Sequence, residues 1–157
     1  MRKIKILFVC HGNICRSPMA EFVLKDMVEK RGLADRFEIA SAATSTEEIW
    51  NGVGNPVYPP AREELAKHGI SCEGKRAVQL KKSDYDAYDY LIGMDDMNIK
   101  NIERMTGHQG GKIKLLLSFG TLIDKKPRHY VLNAIANKLL RIIFTLVEKG
   151  EYYDANF

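Results

Sequence analysis

The sequence has few cysteines and no long uninterrupted apolar run, and each scarcity argues against a class of protein. Cys10, Cys15 and Cys72 are too few and too irregularly spaced for a disulfide-stabilised secreted scaffold, so free or redox-active thiols in a reducing compartment are expected. The apolar run at 4–9 is too short for a secretory signal peptide. The longest apolar stretch, 131–147, is interrupted by polar and basic residues, which argues against membrane insertion. A cytoplasmic protein is the expectation.

Charge of one sign is also not concentrated anywhere. The formal net charge is only +4, and Lys and Arg are scattered, with short pairs at 81–82 and 125–126. Without a basic stripe, no nucleic-acid partner is expected. A chain of 157 residues that is 45% hydrophobic can bury one core of ordinary size, which predicts a single domain over residues 1–157.

Apolar runs of strand length alternate along the chain with segments of helical periodicity. This order predicts an α/β fold: one four-stranded parallel sheet with helices on both faces. Ligands of such sheets bind beyond the carboxyl ends of the strands. The predicted strands are 3–9, 37–41, 88–94 and 112–117, and the predicted helices are 19–30, 61–68, 97–105 and 131–148.

The segment 42–60 is rich in Gly and Pro, and we expect it to be irregular. It contains Trp50, the only tryptophan of the chain. Two interpretations remain open for this side chain. It either anchors the loop on the core or forms an aromatic wall beside a binding pocket.

A strand-to-helix turn at 9–18 carries the chemistry that the sequence predicts. Cys10 and Arg16 are six positions apart and flank a loop that contains Gly12 and Asn13. Such a loop can turn several backbone N–H groups and the guanidinium towards one oxyanion, so a phosphate-binding loop follows the first strand. Ser17 and the following proline are expected to cap the helix and form its first turn.

The same groups that bind an oxyanion also stabilise a thiolate. Cysteine must be ionised to act as a nucleophile, and both a helix amino terminus and Arg16 favour the anion. They would also stabilise the equatorial oxygens of a phosphoryl group as it moves onto sulfur. Side chains of Asn13 and Ser17 could hold the loop or the thiolate by hydrogen bonds.

The stretch 9–18 resembles the phosphate loop of the low-molecular-weight protein tyrosine phosphatases, whose pattern is Cys, five residues, Arg, Ser. The resemblance continues through 41–45, 54–56, 68–70 and 90–95 and extends to about Leu117. It implies a metal-independent and cofactor-independent phosphatase with Cys10 as nucleophile and Arg16 as the phosphate ligand. The loop residues that would bind the substrate are His11, Gly12, Asn13, Ile14, Cys15 and Ser17.

Three further roles follow from the resemblance alone. Cys15 would be able to form a reversible disulfide with Cys10 under oxidation. Asp95 matches an acid that helps to position the arginine, although it could equally cap a helix. Ile14 favours a tyrosine phosphatase, because related protein-arginine phosphatases usually have threonine there.

The sequence departs from the family in its proton donor. The family supplies this proton from an Asp-Pro-aromatic loop before the last helix, and this sequence contains no Asp-Pro. Asp124 matches best by distance from the ends, and it is predicted to be the general acid and then the general base. The alternative is a solvated loop aspartate beside two lysines, with His129 as a less favoured substitute. Trp50 and Tyr130 would then sandwich the substrate ring.

Three functional hypotheses follow. The first is a phosphatase that acts on phosphotyrosine proteins or small aryl phosphates through a phosphocysteine intermediate. The second is a binding module that captures phosphotyrosine or another oxyanion with negligible turnover, because its acid loop is altered. The third is an arsenate reductase, ranked last because only Cys15 and Cys72 would be available for electron transfer.

Overall fold

A computed structural model describes residues 2–119 of the chain, with side chains described for residues 2–118. Two short 3-10 helices, at Ala34–Arg36 and Leu116–Phe119, accompany the main elements. In chain order the main elements are β1 (Ile4–Cys10), α1 (Arg16–Lys30), β2 (Phe37–Ala43), β3 (Ile49–Trp50), β4 (Val53–Gly54), α2 (Pro59–Lys67), α3 (Asp84–Ala87), β5 (Tyr90–Gly93), α4 (Asp96–Thr106) and β6 (Ile113–Leu115).

Four strands form one parallel sheet in the order β2-β1-β5-β6, which confirms the predicted sheet. β1 lies between β2 and β5, and its last residues pair with theirs: Cys10 with Ala43, and Val9 with Gly93. The carboxyl ends of three neighbouring strands therefore meet beside Cys10, at the edge where parallel sheets bind ligands.

The sheet is covered on both faces, as predicted. Because side chains alternate along a strand, β1 contributes to two separate cores. Phe8 and Cys10 belong to the core formed with α1 and α2, and Leu7 and Val9 to the core formed with α4. The side chain of Cys10, the candidate nucleophile, therefore lies on the α1 face of the sheet, and the residue is 3% exposed.

Several local predictions were inexact or wrong. The segment 42–60 is not wholly irregular, because β3 and β4 pair there as a short antiparallel hairpin. α1 begins at Arg16, three residues before the predicted start, and the strand predicted at 88–94 is ordered as strand only over Tyr90–Gly93. The predicted helix 131–148 lies outside the described residues.

Within residues 2–119, no helix combines the length and the apolar character needed to cross a membrane.

Candidate active site

The loop between β1 and α1 is held by backbone hydrogen bonds from two other segments. The N–H groups of Thr44 and Ser45 donate to the carbonyls of Cys10 and His11, at 2.9 and 3.0 Å. From the start of α2, the N–H of Tyr58 donates to the carbonyl of Ile14 at 2.7 Å. These bonds take up the carbonyl groups of Cys10, His11 and Ile14 and tie the loop to the segment after β2 and to the start of α2.

Two donors lie next to the thiol of Cys10. The hydroxyl of Ser17 lies 2.9 Å from Cys10 Sγ, and the backbone N–H of Asn13 donates to the same sulfur at 3.3 Å. The prediction that Ser17 caps α1 was wrong. Cys15 is the residue at the N-cap and makes no side-chain cap bond, whereas Ser17 is in the first turn with its hydroxyl turned to the thiol.

Asn13 gives the loop its shape. Its φ of 56° is in the left-handed region, which Asn adopts more readily than most residues. Its side chain is only 1% exposed and fully engaged. Nδ2 donates to Ser17 Oγ at 2.8 Å and to Ser41 Oγ at 2.9 Å, and Oδ1 accepts from the N–H of Val78 at 3.1 Å.

Arg16 is oriented by Asp95. Its Nη1 donates to Asp95 Oδ2 at 2.6 Å, while Asp95 Oδ1 accepts from the N–H of Asn98 at 2.7 Å at the start of α4. The two alternatives for Asp95, arginine partner and helix cap, are therefore both realised. Burial acts to raise the pKa of Asp95, but the bonds from Arg16 and the Asn98 backbone outweigh it and hold that pKa below its ordinary value.

These groups can bind and stabilise an oxyanion above the sulfur. α1 begins at Arg16, so the N–H groups of its first turn have no carbonyl partner within the helix, and the positive end of its dipole faces the loop. The Arg16 guanidinium adds a full positive charge with several donors. In the described part of the chain, no three His, Cys, Asp or Glu side chains gather as a metal ion would require.

The rim of the loop is polar. His11 is half-exposed, and its Nε2 lies 3.0 Å from a carboxylate oxygen of Glu47. Gly12 leaves little space beside it, since a Cβ there would lie 3.2 Å from Cγ of Glu48. Cys15 is partly buried, and burial, followed by the neighbouring Cys10, raises its pKa, which disfavours its thiolate at neutral pH.

The structure decides one alternative for Trp50 and leaves the other open. Its side chain is 72% exposed on β3, so it does not anchor the segment to the core. It belongs to the segment that contacts Gly12 through Glu48, and an aromatic wall beside the site stays a prediction. Asp124 and Tyr130, like His129, lie outside the described residues.

Sequence reasoning missed three residues that contact the loop network. Ser41 Oγ accepts from Asn13 and donates to Glu21 Oε1 at 2.6 Å, and Lys75 Nζ lies 3.4 Å from the same carboxylate oxygen. One signal was available, because Glu21 is four residues after Ser17 and so lies on the same helix face. No local pattern pointed to Lys75.

Comparison with known proteins agrees with this geometry. The profile of the family described as low molecular weight phosphotyrosine protein phosphatase matches residues 5–131. The chain is 41% identical over 117 residues to the low molecular weight protein-tyrosine-phosphatase YfkJ of Bacillus subtilis, covering 74% of this chain and 72% of that protein. It is 40% identical over 117 residues to the mouse low molecular weight phosphotyrosine protein phosphatase, covering 73% and 71% of the two chains.

Solved structures give the same result for the fold. The crystal structure of YfkJ from Bacillus subtilis superposes with a TM-score of 0.81 at 33% identity, over 95% of this chain and 98% of that one. The low molecular weight protein tyrosine phosphatase SP-PTP of Streptococcus pyogenes superposes with a TM-score of 0.70 at 33% identity, over 98% and 95%.

Proposed function

The chain belongs to the low molecular weight phosphotyrosine protein phosphatase family, and we propose that it hydrolyses phosphotyrosine in proteins, and small aryl phosphates, at Cys10. One observation carries the proposal. The buried thiol of Cys10 has the hydroxyl of Ser17 and the N–H of Asn13 within hydrogen-bonding distance, at the N-terminus of a helix that begins with Arg16. That arrangement suits a thiolate nucleophile and the anion it attacks.

The reaction has two steps. In the first, Cys10 Sγ attacks phosphorus and displaces the phenol oxygen, which takes a proton from the general acid, proposed to be Asp124. Arg16 and the loop N–H groups bind the equatorial oxygens throughout. In the second, Asp124 takes a proton from water, the water oxygen attacks phosphorus, and the S–P bond breaks to release phosphate and regenerate the thiolate.

The other proposed site residues shape the entrance. His11, Gly12, Ile14 and Cys15 form the loop that surrounds the phosphate, and Trp50 and Tyr130 are proposed to flank the aromatic ring. The three cysteines of the chain are all free. Since a thiolate nucleophile must remain reduced to work, this supports action in a reducing compartment such as the cytoplasm.

The absence of an Asp-Pro sequence favours one alternative, a binding module in which the loop captures a phosphorylated tyrosine but turns it over negligibly. The two functions separate in one pair of measurements. Binding of vanadate without measurable hydrolysis of an aryl phosphate would favour the module, whereas measurable turnover excludes it.

The proposed chemistry is tested by replacing Cys10. Hydrolysis of para-nitrophenyl phosphate should be abolished by Cys10→Ser, because a serine hydroxyl is not ionised at neutral pH. It should fall by ~10³-fold in Arg16→Ala, which removes the charge that stabilises the transition state. Cys72→Ala, which changes a buried cysteine outside the loop, is the matched control and should retain turnover. Undiminished hydrolysis by Cys10→Ser would refute the mechanism.

A further inference from the structure

The basic residues of α4 differ from those of α1 in their surroundings. On α1, Lys25 and Lys30 each pair with a carboxylate four residues earlier, at 2.7 and 2.8 Å. On α4, Lys100 and Arg104 are exposed, and neither forms an ion pair with any residue from 2 to 118. Arg104 donates instead to the neutral side chain of Asn101, at 3.3 Å. Exposed positive charge without a neighbouring carboxylate attracts anions from outside the molecule.

Three basic side chains line one open groove beside α4. Lys100 and Arg104 are four residues apart and so share a face of the helix, and His108 follows the Gly107 that ends it. We call these three side chains the α4 basic row. The groove has a volume of about 750 Å³ and is lined by Lys100, Glu103, Arg104, Gly107, His108 and Gln109. In the sequence the three residues are far enough apart that they do not form a basic run, and only the helix brings them together.

Two acidic side chains lie near the row without pairing with it. Glu103 lines the groove, and its Oε1 accepts from the backbone N–H of Gly110 at 3.4 Å. Asp96 precedes Lys100 by four residues, a spacing that allows an ion pair, yet the described coordinates place the two side chains in no ion pair. The lining of the groove therefore combines two permanent positive charges with one negative charge.

Stacking holds His108 in place at the far end of the groove. Its ring is nearly parallel to the ring of Tyr85, with the centroids 3.7 Å apart and an angle of 4° between the planes. Nζ of Lys112 lies 5.0 Å from the centroid of the same tyrosine ring and donates to the Tyr85 carbonyl at 2.8 Å. This end of the groove is thus ordered in advance, and a further cation lies close to it.

The row extends away from the candidate active site along α4. The helix begins at that site, because Asp95 at its N-cap binds Arg16 at 2.6 Å. With a rise of about 1.5 Å per residue, Lys100 lies about 7–8 Å from Asp95 along the helix axis, and Arg104 about 13–14 Å. An extended peptide covers these distances in roughly two to four residues. A peptide that leaves the phosphate loop along α4 would therefore meet both cations within a few residues of its phosphotyrosine.

We propose that the α4 basic row binds an acidic segment of the protein substrate, a few residues from the phosphotyrosine. Met97 is 61% exposed and precedes Lys100 by three residues, so it lies on the same side of the helix and contacts the peptide between the phosphate loop and the row. The row contributes affinity for an extended substrate and takes no part in phosphoryl transfer. This inference rests on the proposed phosphatase function, and it names the class of substrate: phosphotyrosine proteins with acidic residues close to the tyrosine.

Steady-state kinetics with matched substrates test the row. The double variant Lys100→Gln and Arg104→Gln removes both charges and keeps long, helix-compatible side chains. Its kcat/KM for para-nitrophenyl phosphate should equal that of wild type, because this substrate does not reach α4. For a phosphotyrosine peptide with a cluster of Asp residues, KM should rise ~5- to 10-fold with kcat unchanged, since the lost contacts are as strong in the ground state as in the transition state.

Three peptides of equal length make the comparison specific. In one the Asp cluster precedes the phosphotyrosine, in another it follows, and in the third Gln replaces every Asp. A rise in KM for at least one Asp peptide, without a rise for the Gln peptide, supports the proposal and shows in which direction the peptide runs. Unchanged KM for both Asp peptides, or an equal rise for the Gln peptide, overturns it.

A second double variant controls for net charge. Lys30→Gln and Lys67→Gln remove the same charge from the last residues of α1 and α2, where the side chains are 67% and 71% exposed. This control should leave KM unchanged for all three peptides, and a rise equal to that of the α4 variant would refute the row. Conversely, Lys100→Glu with Arg104→Glu should raise KM for the Asp peptides further and lower it for a peptide that carries Lys in their place.

Failure of the proposed function would be seen separately from failure of the row. If the wild-type protein hydrolysed neither para-nitrophenyl phosphate nor a phosphopeptide, the phosphatase proposal would fall, and fluorescence anisotropy of labelled peptides would still test the row. Tighter binding of an Asp peptide than of the Gln peptide, lost in the Lys100→Gln and Arg104→Gln variant, supports the row, and equal Kd values refute it. A single-stranded oligonucleotide that bound more tightly than the Asp peptides would assign the row to nucleic acid and overturn the proposal.

Discussion

Asp95 divides its two carboxylate oxygens between the site and the fold. Oδ2 accepts from Arg16, and Oδ1 accepts from the N–H of Asn98, whose own Oδ1 accepts from the N–H of Asp95 to complete a capping box. The geometry of the guanidinium is thereby tied to the first turn of α4. A substitution that distinguishes the two oxygens can separate their contributions.

Asp95→Asn and Asp95→Ala should differ in stability but not in the direction of their catalytic effect. Asn is as good an N-cap as Asp but lacks the charge that orients Arg16, so kcat/KM should fall by ~10-fold or more with little change in Tm. Ala loses the cap as well, and should lower the free energy of unfolding by a further ~1 kcal/mol. Steady-state kinetics and thermal melts check both. An Asn variant with unaltered kcat/KM would contradict the orienting role.

The lowered pKa of Asp95 also fixes a sign for pH dependence. Its folded-state pKa lies below the ordinary value of 3.8, so the native state binds this proton less readily than the unfolded chain. The stabilisation from this group is complete above the unfolded-state pKa and is lost as the pH falls through the folded-state pKa. The side chain is 45% exposed, so solvent screens the pair and the contribution is modest.

The hairpin of β3 and β4 is joined to the site by a close backbone approach. A Cβ placed on Gly54 would lie 1.9 Å from the carbonyl oxygen of Ala77. Beside this contact, the N–H of Ala77 donates to the carbonyl of Asn55 at 2.9 Å, and the N–H of the next residue, Val78, donates to Asn13. The hairpin therefore positions the backbone at Ala77 and Val78, which in turn orients the side chain of Asn13.

Gly54→Ala should lower the free energy of unfolding much more than Gly52→Ala, which lies in the same hairpin. Both glycines are replaced by alanine. At Gly52 a Cβ would meet no atom within 4 Å, so the only cost is the strain of placing alanine at a φ of 76°. We expect a loss of ~1 kcal/mol for Gly52→Ala and more than ~2 kcal/mol for Gly54→Ala, measured by urea unfolding. If the two variants lost equal free energy of unfolding, the backbone at Ala77 would have moved aside at little cost, and the prediction would be wrong.

The elements were predictable from sequence to the extent that local patterns determine them. The parallel strands appear as short apolar runs, and α4 is marked by its amphipathic spacing and by Gly107, which ends it in the left-handed conformation. The start of α1 was not predictable, because the Ser17 hydroxyl that should have capped the helix is instead directed at the thiol. That orientation depends on the closed conformation of the loop, which places the Ser17 hydroxyl beside Cys10 Sγ and the Asn13 side chain.

For the molecule as a whole, the proposed general acid, Asp124, lies more than a hundred positions along the chain from Cys10, the proposed nucleophile. Asp124→Asn should slow hydrolysis of phenyl phosphate by ~10²-fold, because the phenolate would leave without a proton. It should slow a substrate with a more acidic phenol less, and leave vanadate binding unchanged. Comparing kcat for the two substrates provides the measurement. Small and equal decreases in kcat for both substrates would indicate that His129 or solvent, rather than Asp124, donates the proton.

Sequence reasoning identified the residues at the centre of the candidate site but not those that contact them from other elements. Cys10, Arg16, Asn13 and Ser17 were identified because they lie within one contiguous turn. Glu21, Ser41 and Lys75 were not, since their contacts join α1, β2 and the segment after α2, and no local spacing encodes such contacts. From the sequence, Glu21 is indistinguishable from an exposed polar residue of a helix. Only the structure shows that it is buried and which side chains it contacts.

The long reach of the loop contacts has a consequence for synthesis on the ribosome. The loop is complete within the first 17 residues, yet the partners that shape it, Val78 and Asp95, are 65 and 79 positions further along from the groups they bind. Until these residues have emerged from the ribosome, the loop cannot make the contacts that shape it. The nascent chain therefore exposes the Cys10 thiol before Val78 and Asp95 are available to shape its loop and to orient Arg16.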